Sequence, residues 1–176
     1  SNLTGVAMSI APISYQPDVN DTSVTKSSVS IGMTFTQRVI AGSGNVTLRI
    51  AGAAGTVVEN FGVGSSVTIA NNTVSVTPTA DLAKDTVYHI NYPSGSFTNT
   101  GGDVSYVGTA YTFTAAPTAY QLWAVGRGTI GNLGQNVTDA ARSSPVQIPG
   151  SWSKIGVAGA CVGAVNTVGE LWTWGH

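Results

Sequence analysis

The sequence predicts an all-β protein, and three observations favour this fold class. Only 9% of the 176 residues are charged, against about 25% in an average globular protein. Gly, Ser, Thr, Asn, Val and Ala fill the difference, and this composition favours strands joined by tight turns. Between residues 9 and 115, short segments of alternating apolar and polar residues recur about every ten residues.

Seven of these alternating segments are predicted strands. They are VSIGMTF (29–35), VTLRI (46–50), TVVENF (56–61), SVTIA (66–70), TVSVTP (73–78), VYHINY (87–92) and AYTFTA (110–115). Turn residues separate them, such as GSGN before the second strand. The segment DLAKD (81–85) is too short for a stable helix and is predicted to form a single turn. Seven strands at this spacing predict two sheets packed as a β-sandwich.

The alternation also predicts which face of each strand lies in the core, because successive side chains point to opposite faces. In VYHINY (87–92), the set of residues that contains both tyrosines is a better core face than the set that contains His89. The predicted core residues are Val29, Ile31, Met33 and Phe35, then Val46, Leu48 and Ile50, then Tyr88, Ile90 and Tyr92.

Residues 9–115 resemble the bacterial immunoglobulin-like domains of S-layer and other surface proteins. The matching segments are PDVNDTSV (17–24), SIGMTFTQRV (30–39), GSGNVTLR (42–49), TVSVTPTADLAKDTVYHI (73–90) and YTFTAA (111–116). Their order makes the likeness specific, because each segment alone is common. The resemblance implies an immunoglobulin-like β-sandwich over residues 1–116 that acts as a stalk, spacer or docking module without catalytic chemistry.

A short segment, APTAY (116–120), separates the sandwich from the rest of the chain. A proline between small residues favours an extended, stiff connector. We therefore assign residues 117–120 to a linker and residues 121–176 to a second region.

The second region repeats a motif and contains all four tryptophans of the chain. Leu122, Trp123 and Gly126 return 49 residues later as Leu171, Trp172 and Gly175. Similarity at a fixed period is typical of propellers and solenoids. Further matching positions are Gly131, Leu133, Gly134, Ser144, Pro145, Val146, Ile148, Trp152, Ile155, Gly159, Ala164, Val165, Gly169 and Trp174.

Together these residues resemble the propeller repeat of the regulator of chromosome condensation family. The resemblance implies one β-propeller-type blade and the start of a second. The first copy departs from the family pattern, since the family has Trp-Gly-x-Asn after the first aromatic residue and this chain has AVGRG, with Val125 and Arg127. The resemblance gives no ground for transferring the chromatin or nucleotide-exchange activity of the family's eukaryotic founder.

A blade of this kind is a small four-stranded sheet whose two apolar faces must be covered by neighbours. About three repeats are usually needed before such arrays are stable. We therefore expect Trp123, Trp152, Trp172 and Trp174 to serve in blade packing or interaction. The cover would come from further repeats beyond residue 176 or from other copies of the chain.

No pattern in the sequence predicts an enzyme, a cofactor or a metal site. His89 lacks neighbouring ligands, and the two glutamates, Glu59 and Glu170, are far apart. GRGTIG (126–131) lacks the Gly-Lys-Ser/Thr ending of a phosphate-binding loop. The single cysteine, Cys161, lies in an apolar segment and is predicted to be a buried, inert thiol.

Five aspartates lie at predicted turns, where turn chemistry explains them. They are Asp18, Asp21, Asp81, Asp85 and Asp103. A calcium site at one end of the sandwich is the weaker alternative, because no loop has the dense acidic alternation of a calcium-binding loop.

Charge and hydropathy exclude two classes of partner. The net charge is −1 and the seven Lys and Arg residues are scattered, which argues against nucleic acid as a partner. The sequence has no apolar run of about 20 residues, so it predicts no membrane insertion. The N-terminal segment SNLTGVAMSIAP lacks the pattern of a secretory signal.

These features favour a non-enzymatic structural protein of a bacteriophage virion, placed in the tail, neck, fibre or capsid decoration. Immunoglobulin-like modules followed by this repeat resemble structural proteins of marine cyanobacterial phages. The expected partners are other virion proteins, copies of the same chain and a host surface receptor. The N-terminal segment lacks the pattern of a secretory signal, which fits assembly of the virion in the host cytoplasm.

Two alternatives stay open at this point. The first is a secreted bacterial surface adhesin or S-layer-associated protein, located outside the cell or on its surface. The second is an accessory domain of an extracellular glycan-degrading enzyme.

Overall fold

The computed structural model describes residues 9–137 and 141–176. Residues 1–8, which the sequence analysis placed at the start of the sandwich, lie outside the described residues. The chain divides into two compact units, Ser1–Ala116 (unit 1) and Pro117–His176 (unit 2). Every regular element in the described residues is a β-strand, so the predicted all-β class is confirmed. Over the same ranges, no helix is long and apolar enough to cross a membrane.

Unit 1 contains two four-stranded antiparallel sheets. In spatial order, the first consists of β1 (Pro12–Gln16), β2 (Ile31–Phe35), β7 (Thr73–Val76) and β6 (Thr68–Ala70). The second consists of β10 (Thr109–Thr114), β8 (Val87–Tyr92), β4 (Asn45–Ile50) and β5 (Thr56–Gly62). These orders correspond to strands A-B-E-D and G-F-C-C′ of the immunoglobulin fold. A small sheet pairs β3 (Val39–Ala41) with β9 (Phe97–Asn99).

The two large sheets share one hydrophobic core. The predicted core faces of β2 and β8 are confirmed, because Ile31, Phe35 and Ile90 are completely buried. On β4, Val46 and Leu48 are also completely buried, whereas the outermost predicted residue, Ile50, is only partly buried and packs against the core.

Three strands of unit 1 were not among the seven predicted ones. β3 and β9 have three residues each, which is too short to show an alternating pattern. β1 has five residues, but none is fully buried, and its Ile13 is exposed. Because β1 is an edge strand and its Ile13 lies in solvent, its sequence does not show which of its faces points to the core.

The segment that ends at Val24 forms hydrogen bonds that hold the end of β10 in place. Val24 forms a parallel bridge with Ala115, and its carbonyl accepts a hydrogen bond from the amide of Ala116 at 2.8 Å. The Asn20 amide donates to the carbonyl of Thr112 at 2.7 Å. The last residue of unit 1 is therefore anchored to its own sheet.

A buried tyrosine fixes the turn before β8. The hydroxyl of Tyr88 accepts a hydrogen bond of 2.7 Å from the backbone amide of Ala83, and its ring stacks on Phe113 with centroids 5.7 Å apart. Leu82 in the same turn is buried, and its amide donates to the carbonyl of Lys26 at 2.8 Å. This arrangement is the tyrosine corner of immunoglobulin-like sandwiches.

Unit 2 is one antiparallel sheet in which neighbouring strands follow each other along the chain. Its order is β11 (Tyr120–Gly126), β12 (Arg142–Ala158), β13 (Cys161–Asn166) and β14 (Leu171–Gly175). β12 is 17 residues long, because its first part pairs with β11 and its second part pairs with β13. Tyr120, which the sequence analysis placed in the linker, is the first residue of β11 and pairs with Trp152.

Candidate interaction surface

One face of the unit 2 sheet is formed by large apolar side chains. Cross-strand partners point to the same face, and so do residues two positions apart on a strand. The register therefore places two rows of β12, β13 and β14 on one face, which we call the bulky face. These rows are Ile155–Ala164–Trp172 and Val157–Val162–Trp174.

The opposite face is formed mainly by small side chains, and we call it the small-residue face. Its two central rows are Gly156–Gly163–Thr173 and Ala158–Cys161–Gly175. A third row, Lys154–Val165–Leu171, borders them. A methyl group added at Gly156 would meet no atom within 4 Å, and one added at Gly163 would meet only atoms at 4.0 Å. The small-residue face is therefore open around Gly156 and Gly163, although Leu171 protrudes at its border.

Three of the four predicted tryptophans lie together. Trp152 is buried, and its ring centroid lies 6.3 Å from that of Trp172 and 6.0 Å from that of Trp174. The indole Nε1 of Trp152 donates to the carbonyl of Ile148 at 3.3 Å. Trp172 is 54% exposed despite its contact with Trp152.

The fourth tryptophan does not join this cluster. Leu122 and Ala124 of β11 pack against the buried residues Ile148 and Trp152. Trp123 lies between them on the strand and so points to the opposite face, where it is 52% exposed.

A loop covers part of the bulky face. Leu133 is buried, and the Nε1 of Trp174 donates to the carbonyl of Asn132 at 3.1 Å. Gly134 has a positive φ of 63°, and a methyl group there would lie 3.1 Å from Nε1 of Trp174 and 3.2 Å from Cδ1 of Ile148. Glycine is therefore favoured at this position, because it allows both the left-handed backbone and the close approach.

A groove of about 840 Å³ remains beside the tryptophan cluster. The indoles of Trp152, Trp172 and Trp174 line it, together with Pro149 and Val137. The described residues that line the groove have no charged side chain. The groove is neutral and aromatic, and Trp172 in its lining is exposed. An exposed apolar surface of this kind is a candidate contact site.

The prediction that Cys161 is buried is wrong, because the side chain is exposed. Gly159 and Ala160 form the turn between β12 and β13, so Cys161 is the first residue after a turn and not the centre of a core strand. Its position on the small-residue face leaves the thiol in solvent, where Sγ donates to the carbonyl of His176 at 2.7 Å.

Acidic side chains of unit 1 serve in turns. Asp21 accepts hydrogen bonds from the amide and hydroxyl of Ser23 at 2.8 and 2.9 Å. Asp103 accepts one from Nδ2 of Asn99 at 2.7 Å. Within residues 9–137 and 141–176, no three His, Cys, Asp or Glu side chains are grouped so that they could hold a metal ion.

The sequence analysis missed the contrast between the two faces. The signal is present in KIGVA (154–158), where large Ile155 and Val157 alternate with small Gly156 and Ala158. An alternation of large and small residues does not stand out by hydropathy alone, because all four are apolar or neutral.

Comparison with known families adds one result. The model of the family described as bacterial Ig-like domain matches residues 9–115. No curated protein and no solved structure matches the chain. The matched range contains every strand of unit 1 and covers more than half of the sequence. The chain therefore belongs to the bacterial Ig-like domain family.

Proposed function

We propose that the chain is a non-enzymatic structural protein of a bacteriophage virion that acts in assembly or host adhesion. Unit 1 serves as the spacer or docking module, and unit 2 provides the contact surface as part of a propeller-type repeat. The observation that supports this most strongly is the contrast between a closed core in unit 1 and an exposed aromatic sheet in unit 2.

Exposure of apolar residues favours a role in an assembly. Seventeen large hydrophobic side chains are exposed among the described residues, and ten of them lie in unit 2, including Trp123, Ile155, Val157, Leu171 and Trp172. Ile155, Val157 and Trp172 lie on the same face of the sheet, and an exposed apolar patch of this kind marks a contact site or causes aggregation. In a particle, neighbouring subunits cover such a surface.

The position of the repeated motif supports the propeller-type interpretation of unit 2. The two copies, Leu122-Trp123 and Leu171-Trp172, lie in β11 and β14, which are the two edge strands of the sheet. Four sequential antiparallel strands are also the content of one propeller blade.

A departure in the first copy fits the same interpretation. The glycine loop after the first copy packs against Trp174 of the second copy. The residues before the first copy, APTAY, contain no glycine loop, and Val125 occupies the position that corresponds to Trp174. Trp174 is therefore preceded by a loop that packs against it, whereas the smaller Val125 at the corresponding position is not preceded by such a loop.

A secreted bacterial surface adhesin or S-layer-associated protein is the second candidate. The family match favours it, because this family of immunoglobulin-like domains is found in bacterial surface proteins. The contact surface on unit 2 would serve equally in cell adhesion.

The location of the native protein separates the two candidates. An antibody raised against unit 1 should detect the protein in density-purified phage particles, with a host cytosolic enzyme as the control for contamination. Detection in the washed envelope of uninfected cells, and not in particles, would favour the adhesin and contradict the virion proposal.

A further inference from the structure

The two faces of the unit 2 sheet complement each other in shape. On the bulky face, Ile155 and Val157 are 54% and 68% exposed, so their side chains protrude. On the other face, Gly156 and Gly163 leave room above the backbone. Protruding side chains pack closely only against a surface that can receive them, because tight packing requires that voids be filled. The small-residue face of an identical sheet provides such a surface.

Charge does not oppose this contact. The two rows of the bulky face contain no charged residue, and neither do the two central rows of the small-residue face. The charged residue of the bordering row, Lys154, lies at the margin of the contact. A contact between the faces therefore leaves no charge buried without a partner.

We propose that unit 2 stacks head to tail on unit 2 of a second copy of the chain, with the bulky face of one copy against the small-residue face of the next. The partner in the proposed function is then a second copy of the chain. This inference rests on the proposed function only for the assembly in which the contact forms. A contact between two different faces is heterologous, so repeated stacking produces a ring if the rotation closes and a filament if it does not.

The dimensions of the faces predict a weak single contact. Three strands about 4.8 Å apart and about six residues long at about 3.3 Å per residue give a face of roughly 15 by 20 Å. Stacking two such faces buries at most on the order of 600 Å² in total, because the loop already covers part of the bulky face at Trp174. This area is below the roughly 1,200 Å² of a stable interface. Association should therefore depend on concentration and grow stronger when several copies stack in one assembly.

Two single substitutions in the full chain test the proposal, one on each face. Ile155→Glu places a charge on the bulky face at a side chain that is already exposed. Gly156→Leu fills the small-residue face, and a methyl group added at this position meets no atom within 4 Å. The matched control is Gly64→Leu in unit 1, where an added methyl group also meets nothing within 4 Å.

Sedimentation velocity over a concentration series measures the association. The natural chain and Gly64→Leu should associate alike, and each face variant should need about tenfold more protein or stay monomeric. An equimolar mixture of the two face variants should form dimers and nothing larger, because only one intact bulky face and one intact small-residue face remain in each pair.

Three results would overturn the stacking proposal. They are a natural chain that stays monomeric throughout, a Gly156→Leu variant that associates like the natural chain, and a mixture that stays monomeric although both variants are folded. Circular dichroism checks folding, and Gly163→Val replaces Gly156→Leu if that variant unfolds. If the chain stacks in solution but is absent from phage particles, the virion role is contradicted and the stacking is not. If the chain is present in particles but stays monomeric in solution, the stacking is contradicted and the virion role is not.

Discussion

Units 1 and 2 differ most in how their apolar side chains are covered. Of the 26 buried apolar residues among those described, 22 lie in unit 1 and only Leu133, Ile148, Trp152 and Ala164 lie in unit 2. Unit 1 has two large sheets that cover each other, whereas unit 2 has one sheet and a covering loop. A sheet with an apolar face must bury that face against another element. The comparison shows that similar strand-forming sequences give a closed domain only when a second layer is available.

The aromatic residues allow the two units to be followed separately in one sample. All four tryptophans lie in unit 2, and five of the six tyrosines lie in unit 1. Tryptophan fluorescence therefore reports on unit 2, and the near-ultraviolet circular dichroism of tyrosine reports mainly on unit 1.

The largest expected effect is the loss of a core ring from unit 1. Phe35 is completely buried, and its ring centroid lies 5.7 Å from that of Phe97 and 5.4 Å from that of Tyr106. Phe35→Ala should lower the free energy of unfolding of unit 1 by about 3–5 kcal/mol, as measured by urea titration of the tyrosine signal. The tryptophan signal should keep its midpoint, and a shared shift of both signals would show that the units unfold together.

Alkaline pH should also separate the units. Burial raises the pKa values of Tyr92, Tyr106 and Tyr111 in unit 1 well above the ordinary value of tyrosine. The folded state therefore keeps protons that the unfolded state releases above about pH 10. The stability of unit 1 should be unaffected below that pH and should fall as pH rises beyond it.

Urea titrations on either side of this pH measure the effect. The midpoint of the tyrosine signal should decrease at the higher pH, while the tryptophan midpoint changes little, because the three buried phenols all lie in unit 1. A larger loss in unit 2 than in unit 1 would contradict the assignment of the effect to the three buried phenols.

A smaller effect is expected at the tyrosine corner. Tyr88→Phe removes the acceptor of the Ala83 amide without changing the ring that stacks on Phe113. Loss of this hydrogen bond should destabilise unit 1 by about 0.5–1.5 kcal/mol, because Ala83 is exposed and its amide can bind water instead. Tyr120→Phe is the matched control, and its effect should stay within about 0.5 kcal/mol because that residue is exposed. Equal effects of the two substitutions would show that the corner contributes nothing.

The smallest expected effect concerns the thiol on the small-residue face. Cys161→Ser should change the stability of unit 2 by no more than about 0.5 kcal/mol, because the side chain is exposed. In the folded protein at low concentration, Cys161 should react with a thiol reagent nearly as fast as in urea. Strong protection under those conditions would show that the small-residue face is already covered within one chain.

Much of unit 1 could be predicted from the sequence, because both sheets leave an alternating pattern of buried and exposed residues. Ile31, Met33 and Phe35 show that pattern clearly, and all three are buried. The pattern fails for the three-residue strands β3 and β9, which depend on pairing with each other and not on their own alternation.

Unit 2 was harder to predict, because its apolar residues do not mark a core. The four tryptophans were predicted as one set, yet Trp123 points away from the other three. Cys161 was predicted to be buried, but it lies on the small-residue face after a turn and is exposed. Hydropathy predicts which side chains are to be buried, but it does not predict whether the residues that bury them belong to the same unit.

Hydrogen exchange at low and high protein concentration, read by mass spectrometry, tests most directly the claim that unit 1 is closed and unit 2 depends on a partner. Peptides from β2 and β8 should be equally protected at both concentrations, since their core lies within unit 1. Peptides from β13 and β14 should be weakly protected at low concentration and gain protection at high concentration. Protection of β13 and β14 as strong as that of β8 in the dilute sample would contradict the account.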